Sequence, residues 1–263
     1  MKKNFKTSLF VILIIGVIGS IVYYRQATSP ETYVAKAKEF EQAGRLDEAL
    51  GEYLKAAEKG SLEGRMAAGD YYKTGAAGEK NLFEALRMYK LAAADGSTRA
   101  LFEQGVILFA GPTEVADHAQ AAKFFEMAAE QGVTAAKVNL GTIYASGYGL
   151  EQSYEKAGEL WEEAAQLGQN MAKYYLAVIS LTGWGVVQSP QRAFELASDS
   201  AESGLPQSQY LLGLLYANGL GAEMNDEVAE QWFQKAADQN WSSLNATMHI
   251  VDWEGKPVLA GDV

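Results

Sequence analysis

Between residues 33 and 240 the chain returns every 36 positions to one alternation of small and large apolar residues. Ala49, Ala85, Ala121, Ala157, Ala193 and Ala229 form one small column, and Ala57, Ala93, Ala129, Ala165, Ala201 and Ala237 form another. Four positions after the first alanine stands a large column, Tyr53, Tyr89, Phe125, Trp161 and Phe233, which Ala197 interrupts. Upstream, Gly69, Gly105, Gly141, Ala177 and Gly213 are each followed three residues later by Tyr72, Leu108, Tyr144, Ser180 and Tyr216. Spacings of three and four place such residues on one face of a helix, and small residues let neighbouring helices approach closely. The predicted unit is helix, glycine loop, helix, repeated in tandem.

The boundaries carry their own signals. Gly60, Gly96, Gly132, Gly168, Gly204 and Asn240 share the period, and these two residue types most readily take the left-handed conformation that ends a helix. Four residues before the alanine that opens the second helix stand Asn81, Asp117, Ser153, Ser189 and Asn225, all side chains that accept a hydrogen bond from unpaired amides at a helix start. Asn81 with Glu84 and Asp117 with Gln120 have capping-box spacing, and Pro190 follows Ser189 at the first helical position.

The run Gly141, Tyr144, Gly147, Gly149, Ala157, Trp161, Ala164, Ala165, Gly168 and its echoes resemble the Sel-one-like repeat, a branch of the tetratricopeptide superfamily. The resemblance covers residues 61–240 in five repeats and implies an all-α, right-handed solenoid of antiparallel hairpins. Residues 33–60 look more like a plain tetratricopeptide hairpin, because Gly44, Arg45, Leu46 and Asp47 make a shorter turn. The fourth repeat departs from the pattern with Ala177, Ser180 and Ser200, which leaves open how tightly it packs. Residues 241–263 lie outside the period and are expected to form a cap or tail on the last hairpin through Trp241 and Trp253, with Gly255 and Pro257 arguing against a long helix.

The N-terminus changes the picture. Residues 8–24 hold no charge and are rich in Ile, Val and Leu, at the short end of what spans a bilayer. Lys2, Lys3 and Lys6 precede this span and Arg25 follows it, so residues 1–7 are expected to stay in the cytoplasm and the repeats, beyond a linker at 25–32, to be exported. Tyr23 and Tyr24 would sit at the outer interface. The location this implies is the inner membrane, single-pass, with the repeats in the periplasm. The alternative is a cleaved signal peptide, although Tyr23, Tyr24 and Arg25 offer no small-x-small cleavage site.

Charge and composition narrow the partners. Beyond the first 30 residues the chain carries 18 basic and 33 acidic residues, a net charge of −15, which argues against nucleic acid or an anionic membrane as a ligand of the repeats. There is no cysteine, hence no disulfide and no thiol chemistry. The two histidines, His118 and His249, are too separated for a metal site or a triad and are read as solvated and structurally neutral. Gly147-Tyr148-Gly149 and Gly183-Trp184-Gly185 lack the third glycine and the preceding strand of a phosphate loop and are read as turns. The Asn245–Thr247 sequon matters only where secreted chains are glycosylated. No catalytic residue, cofactor or metal site is expected.

Binding surfaces remain. In hairpin solenoids the first helices line the inner face, and the positions Phe102, Val106 and Phe109, then Tyr174, Val178 and Leu181, then Tyr210 and Leu214, are more apolar than an idle solvent face requires. They are candidates for a groove that holds a protein partner, or else for core packing against the next hairpin. Tyr148 and Trp184, at equivalent loop tips, are candidate contacts, or rings folded over their own helix junctions. The expected function is that of a non-enzymatic, membrane-anchored scaffold or adaptor for proteins in a bacterial envelope. The alternative is a cell-wall glycan-binding module acting through the loops.

Overall fold

A computed structural model describes residues 29–239, Trp241, Ile250–Val251 and Pro257–Val258. The candidate anchor at 8–24, Asn240, the sequon, His249 and Trp253 lie outside the described residues. Among the described residues no helix is long and apolar enough to cross a membrane. The chain divides into two compact units, Met1–Ser97 and Thr98–Val263.

The first unit holds α1 (Pro30–Gln42), α2 (Leu46–Glu58), α3 (Leu62–Thr74) and α4 (Leu82–Ala94), each packed on the next. The second holds α5 (Thr98–Ala110), α6 (His118–Glu130), α7 (Thr134–Ser146), α8 (Tyr154–Gln166), α9 (Asn170–Thr182), α10 (Pro190–Glu202), α11 (Pro206–Asn218) and α12 (Asp226–Ala237), again packed in sequence. The twelve helices among the described residues are therefore six sequential hairpins, as the period predicts. A short antiparallel pair, β1 (Ile250–Val251) with β2 (Pro257–Val258), lies in the tail beyond the period.

All five predicted cap residues act as caps. Asn81, Asp117, Ser153, Ser189 and Asn225 accept from the amides of Glu84, Gln120, Lys156, Arg192 and Val228 at 2.9–3.2 Å. The capping boxes do not close, because each cap residue's own N–H is already committed. It donates to the carbonyl of Tyr72, Leu108, Tyr144, Ser180 or Tyr216 on the partner helix, at 2.8–3.0 Å. The bond ties the start of each second helix to the end of its first, and Glu84 turns instead to Arg87. At the other end of the second helices Gly60, Gly96, Gly132, Gly168 and Gly204 have φ between 86° and 93°, the left-handed stop expected of them.

The core explains the columns. A Cβ on Gly69 would lie 2.6 Å from the Tyr89 ring in the first unit; in the second, Gly105, Gly141 and Gly213 stand equally close to Phe125, Trp161 and Phe233. The glycine on the first helix is therefore the recess that admits the aromatic ring of the second. Trp161 is wholly buried, its indole N–H donates to the Val138 carbonyl at 3.1 Å, and its ring stacks on Tyr175 at 4.8 Å. In the fourth repeat both members of the pair change together: Ala177 faces a second helix that carries Ala197, and both are wholly buried. They join one cluster with Ala193, Ala201, Leu211, Leu212 and Leu215, so this repeat packs tightly by a different filling. Ser200, the third departure, is also buried; its hydroxyl reaches the Asn170 carbonyl at 2.9 Å and Ser208 at 2.6 Å.

The first unit leans more on polar contacts. The phenols of Tyr53 and Tyr71 donate to the two oxygens of Glu41 at 2.9 and 2.8 Å, and burial pushes the pKa of both tyrosines up. Tyr89 donates to Asp70 at 2.7 Å.

Candidate functional site

Equivalent faces of the first helices carry the candidate stripe, and its chemistry differs between the units. In the first unit the register positions are Met66, Asp70 and Lys73 on α3, with Asp70 engaged by Tyr89. In the second unit they are apolar almost throughout. Phe102 and Val106 on α5 are buried, with the Phe102 ring 5.6 Å from Phe125, so these two are core. Phe109, one turn on, is half-buried against His118, with ring centroids 5.0 Å apart.

The same register on α7 carries Val138, Thr142 and Ala145, all buried. On α9, Tyr174, Val178 and Leu181 are only half-buried and pack on the edge of the Ala177 cluster. Burial pushes the Tyr174 phenol pKa upward, which keeps it a neutral hydrogen-bond donor. On α11, Tyr210 is half-buried against Phe233 at 5.2 Å, and Leu214 is 37% exposed. The structure thus splits the predicted groove into a closed stretch on α5 and α7 and an accessible one on α9 and α11.

The loop tips are built from the glycine on either side. Gly147 and Gly183 end α7 and α9 in the left-handed conformation. Gly149 and Gly185 do something further: a Cβ there would lie 2.5 Å from the backbone of His118 and Ala119, or 2.4 Å from that of Tyr154. Gly221 repeats the arrangement against Pro190. Each loop consequently lies on the first turn of the second helix in the preceding hairpin.

The intervening rings follow the loop. Tyr148 stacks on His118 at 5.3 Å with the planes 26° apart, and Trp184 meets Tyr154 at 4.9 Å. They fold over the preceding hairpin rather than over their own junction, yet remain 57% and 46% exposed. His118, half-buried between Phe109 and Tyr148, is a packing element rather than a solvated bystander.

The C-terminal tail reaches α7. Strand β1 packs against this helix, whereas the tail is expected from sequence to cap the last hairpin. Trp241 does stay with that hairpin, its backbone N–H donating to the Ala236 carbonyl at 3.1 Å. Among the described residues no group of three His, Asp or Glu side chains could hold a metal ion. What the stripe on α9 and α11 offers is partly exposed apolar surface with the Tyr174 and Tyr210 phenols beside it.

Comparison with known proteins follows the same register. The Sel1 repeat pattern matches residues 63–97, 99–133, 134–169, 170–205 and 206–241. A protective antigen of uropathogenic Escherichia coli with an SLR fold is 25% identical over 82% of this chain, with a TM-score of 0.70. The chain spans about half of that protein, 47% of its length. A Sel1 repeat protein from Oxalobacter formigenes is 25% identical over 79% of this chain and 82% of its own, with a TM-score of 0.69. No curated protein matches the chain in sequence.

Proposed function

The chain belongs to the Sel1 repeat family, and from that premise we propose that it is a non-enzymatic scaffold that holds a protein partner in a bacterial cell envelope. The observation that carries this reading is the accessible apolar stretch of Tyr174, Val178, Leu181, Tyr210 and Leu214, presented on two consecutive first helices. Solvent-facing aliphatic and aromatic groups in register supply contact area, while the Tyr174 phenol supplies orientation. Residues 8–24 would tether the scaffold to the inner membrane with the repeats outside the cytoplasm, and an envelope location accords with the E. coli relative's being a protective antigen.

In-cell crosslinking of the full chain followed by mass spectrometry tests the partner. Tyr210→Ser with Leu214→Ser should lose the crosslinked proteins while keeping helical content and membrane association; folded variants that retain every partner would refute the docking surface. A periplasm-specific reporter fused after Val263 should be active, and activity of a cytoplasm-specific one instead would reverse the topology.

A second reading rests on the exposure of Tyr148 and Trp184, whose rings could stack on the sugars of a cell-wall glycan. Retention on isolated cell wall that is lost in Tyr148→Ala with Trp184→Ala, without change in protein crosslinks, would favour it.

A further inference from the structure

Three loops of the second unit are clasped to the hairpin before them. Gly149, Gly185 and Gly221, at φ between 66° and 80°, come so near the first turn of the preceding second helix that a Cβ would lie 2.2–2.5 Å from its backbone. Counted back by the 36-residue period, the same register in the first unit holds Ala77, and the turn it would cover begins at Leu46 on α2. An alanine cannot make that approach, because its methyl group would enter the backbone it meets. Ala77 packs on the core of the first unit instead.

The unmade clasp leaves space. A cleft of about 420 Å³ opens between residues 44–48 and residues 76–78, toward the small end of the volumes that hold a ligand. The closed repeats show what fills this place. There the tip residues Tyr148 and Trp184 lay their rings against His118 and Tyr154, whose counterpart on α2 is Leu46. The tip of the first unit is Ala76, so its cleft lacks the ring as well as the clasp.

The walls of the cleft suit a ring. Leu46 is half-buried, and Arg45 is fixed, with its guanidinium over Phe40 at 4.5 Å and its Nε donating to Glu48 at 2.7 Å. A planar cation already held in place is ready to meet an aromatic group. Glu48 offsets the charge of Arg45, which leaves the carboxylate of Asp47 as the net charge of the lining. A basic group beside the incoming ring is therefore favoured and an acidic one disfavoured.

We propose that this cleft is a binding site for the side chain of a tryptophan or tyrosine in a protein segment that carries a basic residue beside it. The incoming ring takes in trans the place that Tyr148 and Trp184 take in cis. The site lies on other helices than the stripe of α9 and α11 and goes beyond the scaffold reading, so neither stands or falls with the other.

The test uses the full chain and short synthetic peptides followed by saturation-transfer NMR. Ac-Lys-Trp-Lys-NH2 should bind saturably, and Ac-Lys-Leu-Lys-NH2 and Ac-Glu-Trp-Glu-NH2 at least about tenfold more weakly. Ala76→Tyr with Ala77→Gly should close the cleft as in the later repeats and weaken binding of Ac-Lys-Trp-Lys-NH2 at least about tenfold, with helical circular dichroism unchanged. Binding that is absent in the unaltered chain, that tolerates leucine in place of tryptophan, or that survives in the folded double variant overturns the proposal.

If the double variant lowers helicity, Asp47→Asn decides. It should weaken Ac-Lys-Trp-Lys-NH2 by about threefold at low salt while leaving the uncharged Ac-Gly-Trp-Gly-NH2 unaffected. Equal binding of the basic peptide to both chains removes the site.

Discussion

The third and fourth repeats, residues 134–169 and 170–205, solve one packing problem in two ways. In the third, Gly141 on the first helix makes room for Trp161 on the second; in the fourth, Ala177 stands opposite a helix that carries Ala197, and leucines of α11 complete the cluster. Either member of the second pair looks like a defect when its column is read alone. Together they are compensated, since a methyl group on the first helix is tolerated once the ring is gone. The unit that matters is the pair, not the column.

The largest effect should come from removing the ring where the recess remains. Trp161→Ala should lose about 3–5 kcal/mol in urea unfolding followed by circular dichroism, because it leaves a large cavity in the core and deletes the indole bond to the Val138 carbonyl. A loss below about 1 kcal/mol would mean that the repeat collapses around the gap and that the recess has no specific occupant.

The reverse substitution sharpens the comparison. Ala197→Phe against Ala177 should overpack and cost about 1–3 kcal/mol. Combined with Ala177→Gly it should recover part of that loss, with a coupling of about 0.5–3 kcal/mol, whereas additive effects would break the idea that the two positions act as a pair.

Two left-handed glycines in different surroundings come next. Gly168 at φ +88° has open space where a Cβ would go, while Gly185 at φ +66° would push one into the Tyr154 backbone. Gly168→Ala should cost about 1 kcal/mol for the left-handed conformation alone, and Gly185→Ala more, about 2 kcal/mol or above, because the loop must lift off its helix. Equal melting shifts would show that the loop contact adds nothing.

The smallest effect should be shared by both repeats. Ser153→Ala and Ser189→Ala each delete one cap bond and should each cost about 1 kcal/mol, since their cap geometry is the same. A large difference between them would place the asymmetry of the two repeats in their helix starts rather than in their cores.

Helix order, the caps of the last five second helices and the glycine stops that end the first five second helices were legible in the sequence, whereas the caps Ser29 and Ser61 were not singled out. These features are decided by interactions within a few residues, so the residue type at a position carries the information: Ser153 caps whatever packs around it. The family followed from the register of those same positions. The limits of local reading appear one step out, where Asn81 and Asp117 have capping-box spacing but their amides belong to Tyr72 and Leu108.

Only the tertiary structure decided which stripe residues are core and which are accessible. Phe102 and Leu214 are both apolar residues on the first-helix stripe, yet one is 0% and the other 37% exposed. It also decided that Tyr148 rests on His118, that Gly149 serves the preceding hairpin, and that Ile250–Val251 lies on α7. The physical reason is common to all of these. Burial and docking depend on atoms brought together from distant parts of the chain, and a short-range pattern records which residues could be apolar neighbours but not what finally covers them.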